Sequence, residues 1–182
     1  MGHKAIGYLN ITISTELNNE LEFLQTVMRI SRSSLVLILL AKQVGLYGNQ
    51  KEKFKRQINK YRPKMIEYAS DNRVRFSVRI PEDTLMDLQN MASEFYQGSL
   101  SKMVMTLLRK GLQEKLRGLS KKRMRYYLSR PEERESIKVA FNTSPFLYKE
   151  IKKRAEFMNV PLNNMISFMI GEYLIGNGKE TE

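Results

Sequence analysis

Arg73-Val74-Arg75-Phe76-Ser77-Val78-Arg79-Ile80 alternates polar and apolar side chains without a break. Successive residues of a strand point to opposite faces, so this period of two predicts a β-strand with one polar and one apolar face. Pro81 follows at a first helical position, and Glu82 and Asp83 put negative charge in the first turn, where the helix dipole favours it. Leu85, Leu88, Met91, Ala92 and Phe95 recur at three- and four-residue spacing, which predicts a helix with one buried face, until Gln97-Gly98 interrupts the pattern. Ser99 or Ser101 caps a second helix that runs through Met103, Leu107 and Leu108 to about Leu116, with Gly118 as its stop.

The same strand, helix, helix order occurs twice more. Upstream, Leu9, Ile11 and Ile13 alternate with Tyr8, Asn10 and Thr12. Ser14 or Thr15 then caps a helix carrying Leu17, Leu21, Leu24 and Met28, and Ser31 restarts a second one. Leu35 to Leu40 in that second helix are apolar almost all round, which predicts deep burial. Downstream, Ile137, Val139 and Phe141 alternate with Lys138, Ala140 and Asn142. Ser144-Pro145 opens a helix with Leu147, Ile151, Ala155 and Met158, and Pro161 opens the last one. With Ser14, Pro81 and Ser144 as equivalents, the repeat spacings are 67 and 63 residues. The expected units are 5–47, 73–117 and 136–176, with connectors 48–72 and 118–135 and a tail 177–182.

The excess positive charge behind the net +12 lies in two segments, in and beside the connectors: Lys51 to Lys64 holds seven basic residues and one acid, Arg109 to Arg130 nine and one. Such blocks point to a polyanionic partner and to phosphate contact. Phe54, Ile58, Tyr61, Met65 and Tyr68 fall on one helical face, with a break expected at Arg62 because Pro63 disfavours helical geometry before it. Ser120 is a candidate cap for a short basic helix in the second connector.

The repeated unit resembles the ribbon-helix-helix family of DNA-binding proteins, the kind that includes the Arc and methionine repressors. Ile11-Thr12-Ile13-Ser14 through Met28-Arg29-Ile30-Ser31-Arg32-Ser33-Ser34 resembles the plasmid copy-number repressors of that family without a gap, and Met158 to Ser167 follows the same spacing. The middle unit needs one extra residue near Gly98. The third departs from the pattern at Pro161 and Ala140. The resemblance implies a mainly α fold with short β-strands, three tandem units whose strands pair into two-stranded antiparallel ribbons, joined by basic helical connectors. Two paired strands fit the major groove, roughly 12 Å wide, and alternate side chains read bases. The implied base readers are Tyr8, Asn10 and Thr12, then Arg75, Ser77 and Arg79, then Lys138, Ala140 and Asn142. The family also clamps phosphate at the amino end of the second helix, where free N–H groups and the dipole favour an anion. Ser31, Arg32, Ser33, Ser99, Ser101, Lys102 and Asn163 occupy those places, and Lys121, Lys122 and Arg123 of the connector are further phosphate candidates.

Catalysis is not expected, because the chain has no Cys, a single His at position 3, and no metal-ligand spacing or nucleotide fingerprint. Gly176-Asn177-Gly178-Lys179 lacks the upstream glycine of a phosphate loop. The longest apolar run, Leu35 to Ala41, is seven residues where a membrane span needs roughly 20. The expectation is a cytoplasmic, nucleoid- or plasmid-associated protein without cofactor, metal or membrane partner. It binds double-stranded DNA sequence-specifically as a transcriptional regulator of a plasmid or other mobile element. The alternatives are a relaxosome accessory protein that marks a transfer origin for a relaxase, or a protein that organises plasmid partition or replication DNA. Three units leave one strand unpaired, which predicts a homodimer and, at roughly 10 bp per ribbon, an inverted-repeat footprint near 30 bp. Either units one and two or units two and three pair within the chain.

Overall fold

A computed structural model describes residues 5–62, 73–116, 140 and 142–177. The chain is mainly helical, with one two-stranded antiparallel sheet among the described residues. The two clearest alternating segments form it: β1 (Ile6–Ser14) pairs with β2 (Arg73–Pro81) in the register Tyr8↔Arg79, Asn10↔Ser77, Thr12↔Arg75. Units one and two therefore pair within the chain. Leu9, Ile11, Ile13, Val78 and Ile80 point into the core and are buried, whereas Tyr8, Asn10, Arg75, Ser77 and Arg79 are exposed. Slipping the register by one residue would turn every one of these side chains over, so burial of the apolar set locks the pairing.

Local capping sets the helices. Ser14 Oγ accepts from Leu17 N–H at 3.3 Å and starts α1 (Thr15–Met28); Arg29, at φ 51°, ends it. Ser31 Oγ accepts from Ser34 N–H at 3.2 Å and starts α2 (Arg32–Asn49), which extends two residues past the expected end of unit one. Lys51–Ile58 forms α3, followed by a 3₁₀ turn at Asn59–Tyr61. In the second unit Pro81 is not the first helical residue. It is still paired with Ile6, its ψ of 135° is extended, and the N–H of Glu82 donates to the Ala5 carbonyl, so α4 (Glu82–Tyr96) begins one residue later. The extra residue of this unit sits where the spacing predicts it. Ile30 N–H closes α1 onto Gln25 five residues back, whereas Gly98 N–H reaches six back to Ala92, through Gln97 and Gly98, both at positive φ. Ser99 then leads into α5 (Leu100–Lys115).

Helices α2 and α5 cross beneath the ribbon and make the centre of the core. Gly111 lets them approach closely: a Cβ there would lie 3.2 Å from Leu39 Cδ2 and 3.6 Å from Leu39 Cβ. Leu35 to Leu40 are all buried, as their uninterrupted apolar character predicts. Lys110 is also buried; its ammonium donates to Glu114 Oε1 at 2.6 Å and faces the rings of Phe54 and Tyr61.

The first connector carries the helix that its apolar spacing predicts, and its apolar face is packed into the core. Phe54 and Ile58 of α3 are buried, and Phe54 stacks edge-on against Tyr47 and tilted against Phe95. Arg62 leaves the helix with ψ 131°, the extended geometry that Pro63 imposes on its predecessor. Two of the cations pair at the surface: Lys55 reaches Glu94 at 2.8 Å and Lys51 at 3.3 Å, and the Tyr47 hydroxyl donates to the same carboxylate. The hydrogen bond from Lys55, then those from Tyr47 and Lys51, hold the Glu94 carboxyl down from its ordinary 4.5 to about 2. A carboxyl with a depressed folded-state pKa adds stability that is complete above its unfolded pKa and disappears as pH falls through the folded one. Glu94→Gln should therefore flatten the fall in melting temperature between about pH 4.5 and 2. An acid limb identical to that of the unsubstituted chain would show that this cluster does not couple to folding.

The third helix pair, α6 (Pro145–Met158) and α7 (Leu162–Asn177), repeats the first unit's caps. Ser144 Oγ accepts from Leu147 N–H at 3.2 Å, Asn159 turns at φ 55°, and Val160 N–H returns to Ala155. The pair docks on unit one. Asn164 Nδ2 donates to Ser34 Oγ at 2.9 Å, Gly171 lies against Met28, and Glu172 accepts from Lys42 at 2.7 Å and pairs with Lys115. Most of its expected strand, Ile137 to Val139 and Phe141, lies outside the described residues. Ala140 and Asn142 are exposed and outside any strand, and Lys138 lies outside the described residues.

Candidate nucleic-acid interface

The outward face of the ribbon is a row of three cross-strand pairs, Tyr8–Arg79, Asn10–Ser77 and Thr12–Arg75, continued by exposed Arg73. Six of the nine residues expected to read bases are thus brought together on one face. β1 supplies neutral hydrogen-bonding groups and β2 supplies guanidinium groups, so the two strands are chemically different. The pairs also hold one another in place: the Arg79 guanidinium lies 5.7 Å from the Tyr8 ring centre, and Ser77 Oγ donates to Asn10 Oδ1 at 2.5 Å. Such a row can fork Arg onto guanine O6 and N7, aim Asn at adenine and set a Thr methyl against thymine.

Beside the ribbon lies a cleft of about 470 Å³ that joins outward Tyr8, Ser77 and Arg79 to Ser31 and Ser33 at the amino end of α2. This cleft unites base-reading and phosphate candidates that are well separated in the chain, Tyr8 lying 23 residues before Ser31 and Ser77 46 residues after it. The Ser31 hydroxyl is itself occupied, accepting from Ser34 N–H and donating to Ser34 Oγ at 2.9 Å. Helix geometry leaves the N–H groups of the first turn, at Arg32 and Ser33, as the anion donors there. Asn159 and Pro161, from the turn between α6 and α7, form the opposite wall. Sequence periodicity within one unit carries no trace of that wall, because it comes from docking between units.

Other candidates are placed differently. Arg32, expected on phosphate, braces α1 to the underside of the ribbon. It reaches Glu22 at 3.0 Å and Gln25 at 3.4 Å, and its guanidinium sits 5.4 Å from the centre of the Phe76 ring. Its charge is engaged within the chain. Ser99 caps α5 without a side-chain hydrogen bond, and Ser101 and Lys102 are exposed on the first turn. Asn163 is exposed on α7 but does not line the cleft; the unit-to-unit contact is made by its neighbour Asn164. Lys121, Lys122 and Arg123 lie outside the described residues. Among the described residues no group of three or more His, Cys, Asp or Glu side chains could hold a metal ion, and no single helix is long and apolar enough to cross a membrane. The chain matches no family model, no curated protein and no solved structure.

Proposed function

We propose that the protein is a non-catalytic, sequence-specific double-stranded DNA-binding protein of ribbon-helix-helix type, built from three tandem units. In this reading it acts in the cytoplasm as a transcriptional regulator of a plasmid or other mobile element. The observation that carries the proposal is the outward row of the ribbon. An antiparallel pair of strands is about the width the major groove admits, its inward face is sealed into the core, and its outward face holds side chains that match base edges. The adjacent amino end of α2 supports it by supplying the anion-binding N–H groups that would fix the register on the phosphate backbone.

Because β1 and β2 carry different readers, the ribbon itself recognises an asymmetric sequence rather than a palindrome. Selecting duplexes from a random pool with the full chain should enrich an asymmetric core motif. Affinity for that motif should exceed that for random duplexes by at least about 10³-fold, and log affinity should fall linearly with log salt concentration. Equal affinity for all duplexes would overturn the sequence-specific reading.

A further inference from the structure

We propose that the turn between α6 and α7 is a one-sided clamp on the DNA backbone: one strand of the bound duplex runs through the cleft between this turn and the amino end of α2, so the third unit grips the duplex on a single flank of the ribbon. The inference rests on the reading that the ribbon binds DNA. It gives the third unit a place in that complex for which it needs no ribbon of its own.

The two flanks of the ribbon start out equivalent. An offset of 67 residues carries Tyr8, Asn10 and Thr12 onto Arg75, Ser77 and Arg79, and the register pairs Tyr8 with Arg79, Asn10 with Ser77 and Thr12 with Arg75. An approximate two-fold axis through the Asn10–Ser77 pair therefore exchanges the Tyr8–Arg79 end with the Arg75–Thr12 end, and with them the amino ends of α2 and α5 at Ser31 and Ser99. The third helix pair removes that equivalence. It docks on unit one through Asn164 on Ser34, Gly171 on Met28 and Glu172 on Lys42, and so brings Asn159 and Pro161 to the unit-one flank. It reaches unit two at Lys115, the last residue of α5, at the end of that helix away from Ser99.

The turn is a built wall. Asn159 sits at φ 55° with its N–H returned to Glu156 at 3.2 Å, Val160 N–H returns to Ala155 at 2.9 Å, and the Val160 side chain is buried. Asn159 itself is exposed. The cleft that this wall closes has the chemistry of an anion path: about 470 Å³, with the Arg79 guanidinium, the hydroxyls of Tyr8, Ser33 and Ser77, and no carboxylate among its lining residues. A cleft of about 250 Å³ at the start of α1 lacks that character, because Glu16 and Glu20 stand among its cations. Tyr8, Ser77 and Arg79 belong both to the cleft and to the outward row, so a duplex seated on the row passes the mouth of the cleft. What a duplex presents at the edge of a groove is its phosphodiester backbone, and the Asn159 amide can donate to a phosphate oxygen from the side opposite α2.

Two substitutions at Asn159 test the contact without disturbing the turn. An offset of 130 residues carries Arg29, at φ 51°, onto Asn159, so arginine is compatible with this backbone, and aspartate tolerates the left-handed region as asparagine does. Asn159→Asp should weaken binding to the selected and to random duplexes alike by about 10-fold, because a hydrogen bond to a charged group is lost and a like charge takes its place. Asn159→Arg should tighten both and steepen the fall of log affinity with log salt by about 0.9. Asn49→Asp changes the net charge equally at the far end of α2, about 25 Å from its amino end, and should leave both affinities unchanged. A second measurement locates the turn on the duplex. The chain has no cysteine, so Asn159→Cys carries a single iron–EDTA group, which should cut the selected asymmetric duplex on one side of its motif only. Equal losses for Asn159→Asp and Asn49→Asp, or cutting that is absent or falls on both sides, would overturn the clamp. The unsubstituted chain separates the two readings: no preference among duplexes is a failure of the ribbon, whereas a retained preference with Asn159 indifferent is a failure of the clamp alone.

Discussion

Arg75→Ala and Arg79→Ala are each expected to weaken binding to the selected duplex by about 1–3 kcal/mol, roughly 5- to 150-fold, while changing affinity for random duplexes far less. Both side chains stand on the outward face of β2 and are exposed, so their loss removes no core contact. A bidentate Arg–guanine pair is lost only when the correct base is present, which is why the loss falls on the preferred site. A phosphate contact is lost on every sequence. Arg79 has a second role, since it packs on Tyr8 across the ribbon. Arg79→Lys keeps the charge but not the planar fork, and should recover random-duplex affinity without recovering specificity. Fluorescence anisotropy on both duplexes at fixed salt distinguishes the outcomes. Equal losses on the two would reassign these arginines to the phosphate backbone and remove the main support for base reading by the ribbon.

Truncation on the other side of the ribbon should act on stability instead. Leu108→Ala is expected to cost about 2–5 kcal/mol, the range for a fully buried leucine whose surroundings relax only in part. Leu108 is 0 % exposed and lies on the face of α5 that meets α2, as Leu40 does from the opposite helix. The close crossing at Gly111 limits how far the backbone can collapse into the space left behind. Urea denaturation should show a lower midpoint with little change in slope, and the effect should appear without DNA. A loss below 1 kcal/mol would mean that the α2–α5 seam is looser than the Leu39–Gly111 approach indicates.

Much of this architecture is written in short-range pattern. The alternation at 73–80 sets which side chains of β2 face inward, and Leu9, Ile11 and Ile13 do the same for β1. Ser14, Ser31 and Ser144 cap the helices they precede, and the extra residue at Gly98 appears as one additional left-handed position. The ribbon's outward row was legible in the same way, because strand phase alone separates Tyr8, Asn10 and Thr12 from their buried neighbours, whereas the cleft wall at Asn159 and Pro161 was not. Pro81 marks the limit of that reading: proline is suited to a first helical position, but pairing with Ile6 held its backbone extended.

The sequence by itself determined the two strands that pair, the capped helices that follow them, and which face of each is apolar. Those properties follow from φ/ψ preferences, side-chain period and capping, all of which act within a few residues. Only the tertiary structure decided that β1 pairs with β2, that α3 packs Phe54 into the core, and that the third pair docks on α1 and α2. It also decided which charges are left for a ligand. Arg32 is engaged by Glu22 and Phe76, and Lys51 and Lys55 by Glu94, so a cation count along the chain overstates what can meet phosphate. The physical reason is the range of the interactions: a charge becomes a brace or a free ligand according to which carboxylate or ring arrives beside it, and that partner can lie some forty residues away in the chain.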